Sequence, residues 1–244
     1  MTAPDGNSAG CATKLVVALD VSTAEEALAA ARLFKGLPVW LKVGLELFTA
    51  AGPSCVRDLA GNGHNIFLDL KFHDIPNTVR RAVTNAVLSG AGMLTLHAGG
   101  GRAMMRAAVE GRQEARLSAS SPTAPVPLLF GVTVLTSADA DEATGGDVTA
   151  CVVERAMAAK ASGLDGVVCS GHEAAAVKKA CGPSFFCLCP GIRFAGGRVD
   201  DQARVMTPDQ AVQAGADFLV MGRPVMRAGD PREAAEKALQ LMRR

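Results

Sequence analysis

The chain has 244 residues, 49% of them hydrophobic and only 4% aromatic, which is ample aliphatic material for a core and excludes a disordered chain. Its 25 Lys and Arg against 24 Asp and Glu leave +1, with no basic run longer than Arg243-Arg244, so no nucleic-acid partner is expected. No segment approaches the apolar length that crosses a bilayer, and a cytoplasmic protein without membrane contact is expected.

Residues 1–13 are polar and read as a flexible N-terminal tail; residues 14–244 read as one domain. The first aliphatic run is LVVALD (15–20), followed by the helical spacing of TAEEALAAARLF, and the second is VWLKVG (39–44). IFLDLK (66–71) leads into IPNTVRRAVTNAVL, and MLTLHA (93–98) into RAMMRAAVEGRQEA. PLLFGVTVL (127–135) precedes DVTACVVERAMAAKA, and DGVVCS (165–170), FFCLCPGI (185–192) and FLVMGRP (218–224) complete the set. Continuous hydrophobic runs are the mark of strands buried on both faces, and their alternation with helices implies βαβ units. Several helices end in SGAG, ASGLDG or QAGAD just before the next strand, where glycine suits the left-handed cap.

Eight such units in this length predict a single-domain α/β fold, a (β/α)8 TIM barrel. An open doubly wound sheet would carry Gly-x-Gly-x-x-Gly after its first strand; VALDVSTAEE stands there instead, and HAGGGRA (97–103) has the wrong spacing. The seven cysteines are an odd number and sit mostly in apolar runs, as reduced buried thiols do. Cys181, Cys187 and Cys189 fit no zinc spacing, and no metal is expected.

In barrels of this kind the strand C-termini and the loops after them form the active site. Asp20, Lys42, Asp69, Lys71, His97, Arg193 and Arg223 all fall at or just past such ends. Asp69 and Lys71 are two apart on one strand and therefore point to one face, about 7 Å apart along it; Lys42 ends the neighbouring strand about 5 Å away. Asp74 follows, just before Ile75-Pro76, where proline opens a helix and forces Ile75 to be extended. The bland alternatives are a scaffolding ion pair for Asp69 and Lys71, and helix capping for Asp74 or Asn77. His97 has the alternative of bonding a neighbouring backbone, and His64, His73 and His172 read as surface or loop residues. Late in the chain, PGIRFAGGRVDDQ (190–202) and MGRPV (221–225) follow the seventh and eighth strands, where barrels often hold phosphate. Arginine supplies a planar fork for phosphate oxygens and Gly222 lets the backbone approach; a glycine-rich surface turn with solvated arginines is the alternative.

VALD, LKVG, DLKFHDIPNT, LTS, PGIR, the downstream DDQ and MGRP, in this order, resemble the bacterial form of the orotidine 5'-monophosphate decarboxylase family from residue 15 to about 225. The resemblance implies a cofactor-free carboxy-lyase converting orotidine monophosphate to uridine monophosphate, with sites at a homodimer interface. It implies that Lys42, Asp69 and Lys71 come from one subunit, and Asp74 and Thr78 from the other. It makes Lys71 the proton donor, kept charged by Asp69 and Asp74. Asp20 and Lys42 match residues near the ribose, Thr136 one near the base, and Gln202, Gly222 and Arg223 ones near the phosphate, with Arg193 beside them. Two alternatives stand beside it. One is a Mg2+-dependent sugar-phosphate decarboxylase or synthase on a related barrel, against which the IPNT continuation and the PGIR and GRP segments speak. The other is a non-catalytic phosphate-binding barrel.

Overall fold

The computed structural model describes residues 13–118, 125–135, 146–196 and 205–243. Eight parallel strands close in sequential order: β1 (Lys14–Ala18), β2 (Val39–Gly44), β3 (Asn65–Phe72), β4 (Met93–His97), β5 (Leu128–Val132), β6 (Gly166–Val168), β7 (Phe186–Cys189) and β8 (Phe218–Met221). β8 pairs back onto β1, with Leu15 opposite Leu219. The fold is the expected (β/α)8 barrel, and each strand falls within or against one of the eight aliphatic runs. Residues 1–12 of the expected tail lie outside the described residues.

Helices cover the outside. Thr23 caps Ala24–Leu33 through a reciprocal bond pair with Glu26, and Ser170 does the same for Gly171–Cys181 with Glu173. Pro76 opens the helix Pro76–Leu88, and Ile75 before it is extended (φ −58°, ψ 150°). The three glycine-bearing helix ends all turn left-handed, at Gly90 (φ 96°), Gly163 (φ 89°) and Gly215 (φ 94°). The helix Pro76–Leu88 crosses Gly101–Ser118 so closely that a β-carbon at Gly111 would lie 2.2 Å from the Arg80 carbonyl oxygen. Thr84 Oγ1 donates to the carbonyls of Arg80 and Gly111 at 3.0 and 3.1 Å and seals that crossing.

Alternation along the strands separates two cores. Leu15, Val17, Leu41, Val43, Cys187 and Cys189 pack outward against the helices. Val16, Trp40, Phe67, Phe130, Phe186, Leu188 and Phe218 fill the barrel interior. Phe218 makes edge contacts with Trp40, Phe130 and Phe186 at centroid distances of 6.3, 5.6 and 5.8 Å. Gly166 gives those rings room, since a β-carbon there would lie 2.7 Å from Phe130 Cε1. The lower interior is thus plugged by aromatic rings, and the mouth alone is left for polar groups. Of the six described cysteines, five are buried and all are free thiols, as expected; Cys187 and Cys189 alternate with Leu188 on β7.

A charged cavity at the barrel mouth

The parity that sends Trp40 and Phe67 into the barrel continues two residues further along each strand. It brings Lys42 and Asp69 to the inner face at the C-terminal end, where solvent reaches them. A cavity of about 290 Å³ opens there. Asp20, Lys42, Asp69, Lys71, Arg193, Gly222 and Arg223 all contribute to its wall. Val132, Val168 and Leu188 add apolar groups to its lining. A lining of both ionic and apolar groups suits a partly charged small molecule.

Asp69 and Lys71 form the tightest contact in it. Nζ of Lys71 lies 2.9 Å from each carboxylate oxygen of Asp69. Both side chains are partly buried, so the pair is shielded from bulk water more than a surface ion pair. The route to that geometry differs from a regular strand. β3 pairs with β4 through Phe67 and Met93, Leu68 and Leu94, then Phe72 and Leu96, so three residues of β3 face Thr95 alone. Within this bulge Lys71 takes φ 51°, the one described non-glycine residue in the left-handed region. Its N–H donates to Thr95 Oγ1 at 3.0 Å, and the Thr95 hydroxyl donates to Asp69 Oδ1 at 2.9 Å. Thr95 was missed from the sequence; a lone polar residue inside the aliphatic run MLTL was the available signal.

Lys42 pairs more loosely with Asp20, 3.4 Å from Nζ to Oδ1. Two glycines leave room for this pair: a β-carbon at Gly44 would lie 2.7 Å from Lys42 Nζ, and one at Gly222 would lie 2.8 Å from Asp20 Oδ2. Neither contact was foreseen.

On the far side, Arg193 is buried after β7, its guanidinium donating to its own residue's neighbour, the Ile192 carbonyl, at 3.0 Å. Its backbone N–H bonds Met206 O, which ties the two ends of the loop after β7 together. Arg223 begins the short helix Arg223–Met226 directly after β8. The loops after strands seven and eight thus meet on one side of the cavity.

Asp74 and Thr78 do not line the cavity of the single chain; both are exposed. Oδ1 of Asp74 accepts from the Ile75 N–H at 2.7 Å, not from the helix, and Asn77 Oδ1 accepts from Arg80. Ile75 between them is 67% exposed. Thr136 and Gln202 lie outside the described residues.

The histidine ring at position 97 packs 5.2 Å from that of His73. Burial first, and then the like charges of His73, Lys71 and Arg155, push His97 below its ordinary value of 6.5, with Asp69 opposing. Among the described residues no group of three or more His, Cys, Asp or Glu side chains is arranged to hold a metal ion. No described helix is long and apolar enough to cross a membrane.

The family described as Orotidine 5'-phosphate decarboxylase / HUMPS matches residues 13–238. An orotidine 5'-phosphate decarboxylase of Nitratidesulfovibrio vulgaris (strain DP4) is 54% identical over 232 residues, covering 94% of this chain and 97% of that protein. One from Lawsonia intracellularis is 48% identical over 225 residues, covering 91% and 96%. Among solved structures, orotidine 5'-phosphate decarboxylase from Lactobacillus acidophilus superposes with a TM-score of 0.83 at 33% identity, covering 95% of this chain and all of that one.

Proposed function

The chain belongs to the orotidine 5'-phosphate decarboxylase / HUMPS family, and from that membership we propose that it removes CO2 from orotidine 5'-monophosphate to give uridine 5'-monophosphate in de novo pyrimidine biosynthesis. The observation that carries this reading is the Lys71 ammonium clamped by both Asp69 oxygens at the mouth of a plugged barrel.

Breaking the bond from C6 to the carboxylate leaves an electron pair in an in-plane orbital that the ring's π system does not delocalise. A fixed cation beside C6 lowers the energy of that charge as it forms. In our reading Lys71 is that cation and then the acid: its N–H bond breaks as the C6 pair takes the proton, and the neutral amine is recharged from solvent. Asp69 holds the ammonium in place until transfer.

The remaining roles are carried over from the family resemblance. Asp20 and Lys42 hold the ribose hydroxyls and Thr136 meets the base. Arg193, Gln202, Gly222 and Arg223 receive the phosphate, whose binding energy orders the site at a distance from the reacting carbon. The enzyme is a homodimer in which Asp74 and Thr78 complete the neighbouring subunit's site. The exposure of both residues, and of Ile75 between them, supports a covered position in the dimer. Free buried thiols support a reducing cytoplasm.

The related sugar-phosphate enzymes use Mg2+ to stabilise an enediolate. The IPNT continuation after Asp74 and the PGIR and GRP segments support the cofactor-free route. The test is the fall in absorbance of orotidine monophosphate in buffer containing EDTA. Undiminished turnover is expected; absence of turnover there with recovery on adding Mg2+ would favour the metal-dependent reading.

A further inference from the structure

We propose that Thr95 is a positioning residue for the decarboxylation, setting the bulge of β3 so that the Lys71 ammonium is aimed at the reacting carbon; this rests on the role given to Lys71 above. Thr95 is fully buried (0% exposed), so its hydroxyl is not a solvated surface group. It faces three residues of β3 where a regular ladder would set one. The bulge takes the Lys71 N–H out of the ladder, and a buried N–H without a partner is costly. Thr95 Oγ1 accepts that N–H at 3.0 Å.

Among the described residues the same oxygen's own proton goes to Asp69 Oδ1 at 2.9 Å. The direction of both bonds is therefore determined: amide to hydroxyl, hydroxyl to carboxylate. A single side chain on β4 thus pins the backbone of the lysine, in a left-handed conformation unfavourable for a residue with a β-carbon, and the carboxylate that steers its Nζ. Moving either end shifts the ammonium, and small displacements from reacting geometry cost rate more than affinity.

Valine keeps the shape of threonine and removes both bonds; serine keeps both bonds and removes a methyl. The experiment measures kcat, KM and uridine monophosphate binding stoichiometry for wild type, Thr95→Val, Thr95→Cys and Thr95→Ser. For Thr95→Val, kcat is expected to fall about 30-fold, the order set by losing a hydrogen bond to a charged group. KM is expected to stay within about threefold, because phosphate and ribose contacts are elsewhere. Thr95→Ser should retain near wild-type kcat, with Thr95→Cys between. A Thr95→Val enzyme with wild-type kcat, or a loss of kcat that merely tracks the loss of sites able to bind uridine monophosphate, overturns the inference. Should Thr95→Val not fold, the cysteine and serine variants decide: equal kcat in both, or a serine variant no better than cysteine, overturns it. A wild-type chain that does not consume orotidine monophosphate defeats the proposed function itself, an outcome separate from any ranking of the variants.

Discussion

Asp69 presents both of its carboxylate oxygens to the Nζ of Lys71 at an equal 2.9 Å, while Lys71 itself sits on a left-handed backbone. Charge and backbone conformation can therefore be separated by mutation. Lys71→Ala removes the ammonium and retains a β-carbon in the left-handed region; Lys71→Gly removes both. Each should lower kcat by at least about 10³-fold, since in the proposed mechanism acid and cation are lost together. In denaturant unfolding the glycine variant should exceed the alanine variant by about 1 kcal/mol. An alanine variant at least as stable as glycine would mean that the left-handed backbone is not retained.

Gly44 is a site where activity and stability should part. Its own backbone is extended (φ −95°, ψ −175°), so alanine is accepted there, and the atom a β-carbon would meet is the mobile tip of Lys42. Gly44→Ala should leave the melting temperature within about 2 °C, a change typical of a surface substitution. It should raise KM about tenfold by displacing the ammonium from Asp20, equivalent to about 1.4 kcal/mol of binding. Calorimetry and steady-state kinetics on one preparation check both halves.

Gly111→Ala should behave in the opposite way. Its β-carbon would meet backbone at 2.2 Å, and neither helix can yield by a side-chain rotation. Overpacking of this kind costs about 1–3 kcal/mol, measured as a lower denaturation midpoint. The helix that must shift begins at Pro76 and carries Thr78, so the affinity of the proposed dimer should weaken as well, visible by sedimentation at low concentration.

Acid should weaken the fold through His97. Its folded-state value is depressed below 6.5, so below that pH the unfolded chain binds the proton more readily than the folded one. The contribution of neutral His97 to stability is complete above pH 6.5 and is lost as pH falls through the folded-state value. His64, lowered by burial and then by Lys35, adds to the same slope. His97→Gln should flatten the decline below about pH 6.5 relative to wild type, as followed by urea unfolding at each pH. An unchanged slope would remove His97 as a contributor.

The barrel was legible because its strands announce themselves as aliphatic runs and its helix ends as glycines, both local signals. The inward parity that carries Trp40 to Lys42 and Phe67 to Asp69 is local too, and it brings these charges to the mouth. The bulge was not legible. Alternation along IFLDLK predicts a regular strand, and the extra residues are revealed only by the partner on β4. Thr95, Gly222 and Gly111 matter through atoms distant in sequence: an amide and a carboxylate one strand over, an aspartate tip, a carbonyl on another helix. Spacing along the chain carries no record of such contacts. Thr136 and Gln202, read from resemblance alone, lie outside the described residues.

The aromatic floor of the barrel also supplies a built-in optical probe. With one tryptophan and no tyrosine in the chain, near-ultraviolet emission originates almost wholly from Trp40, whose ring lies edge-on to Phe218. Its fluorescence therefore follows the integrity of the barrel floor, while absorbance of the pyrimidine follows chemistry at the mouth, so loss of fold and loss of catalysis can be watched as separate signals in one cuvette.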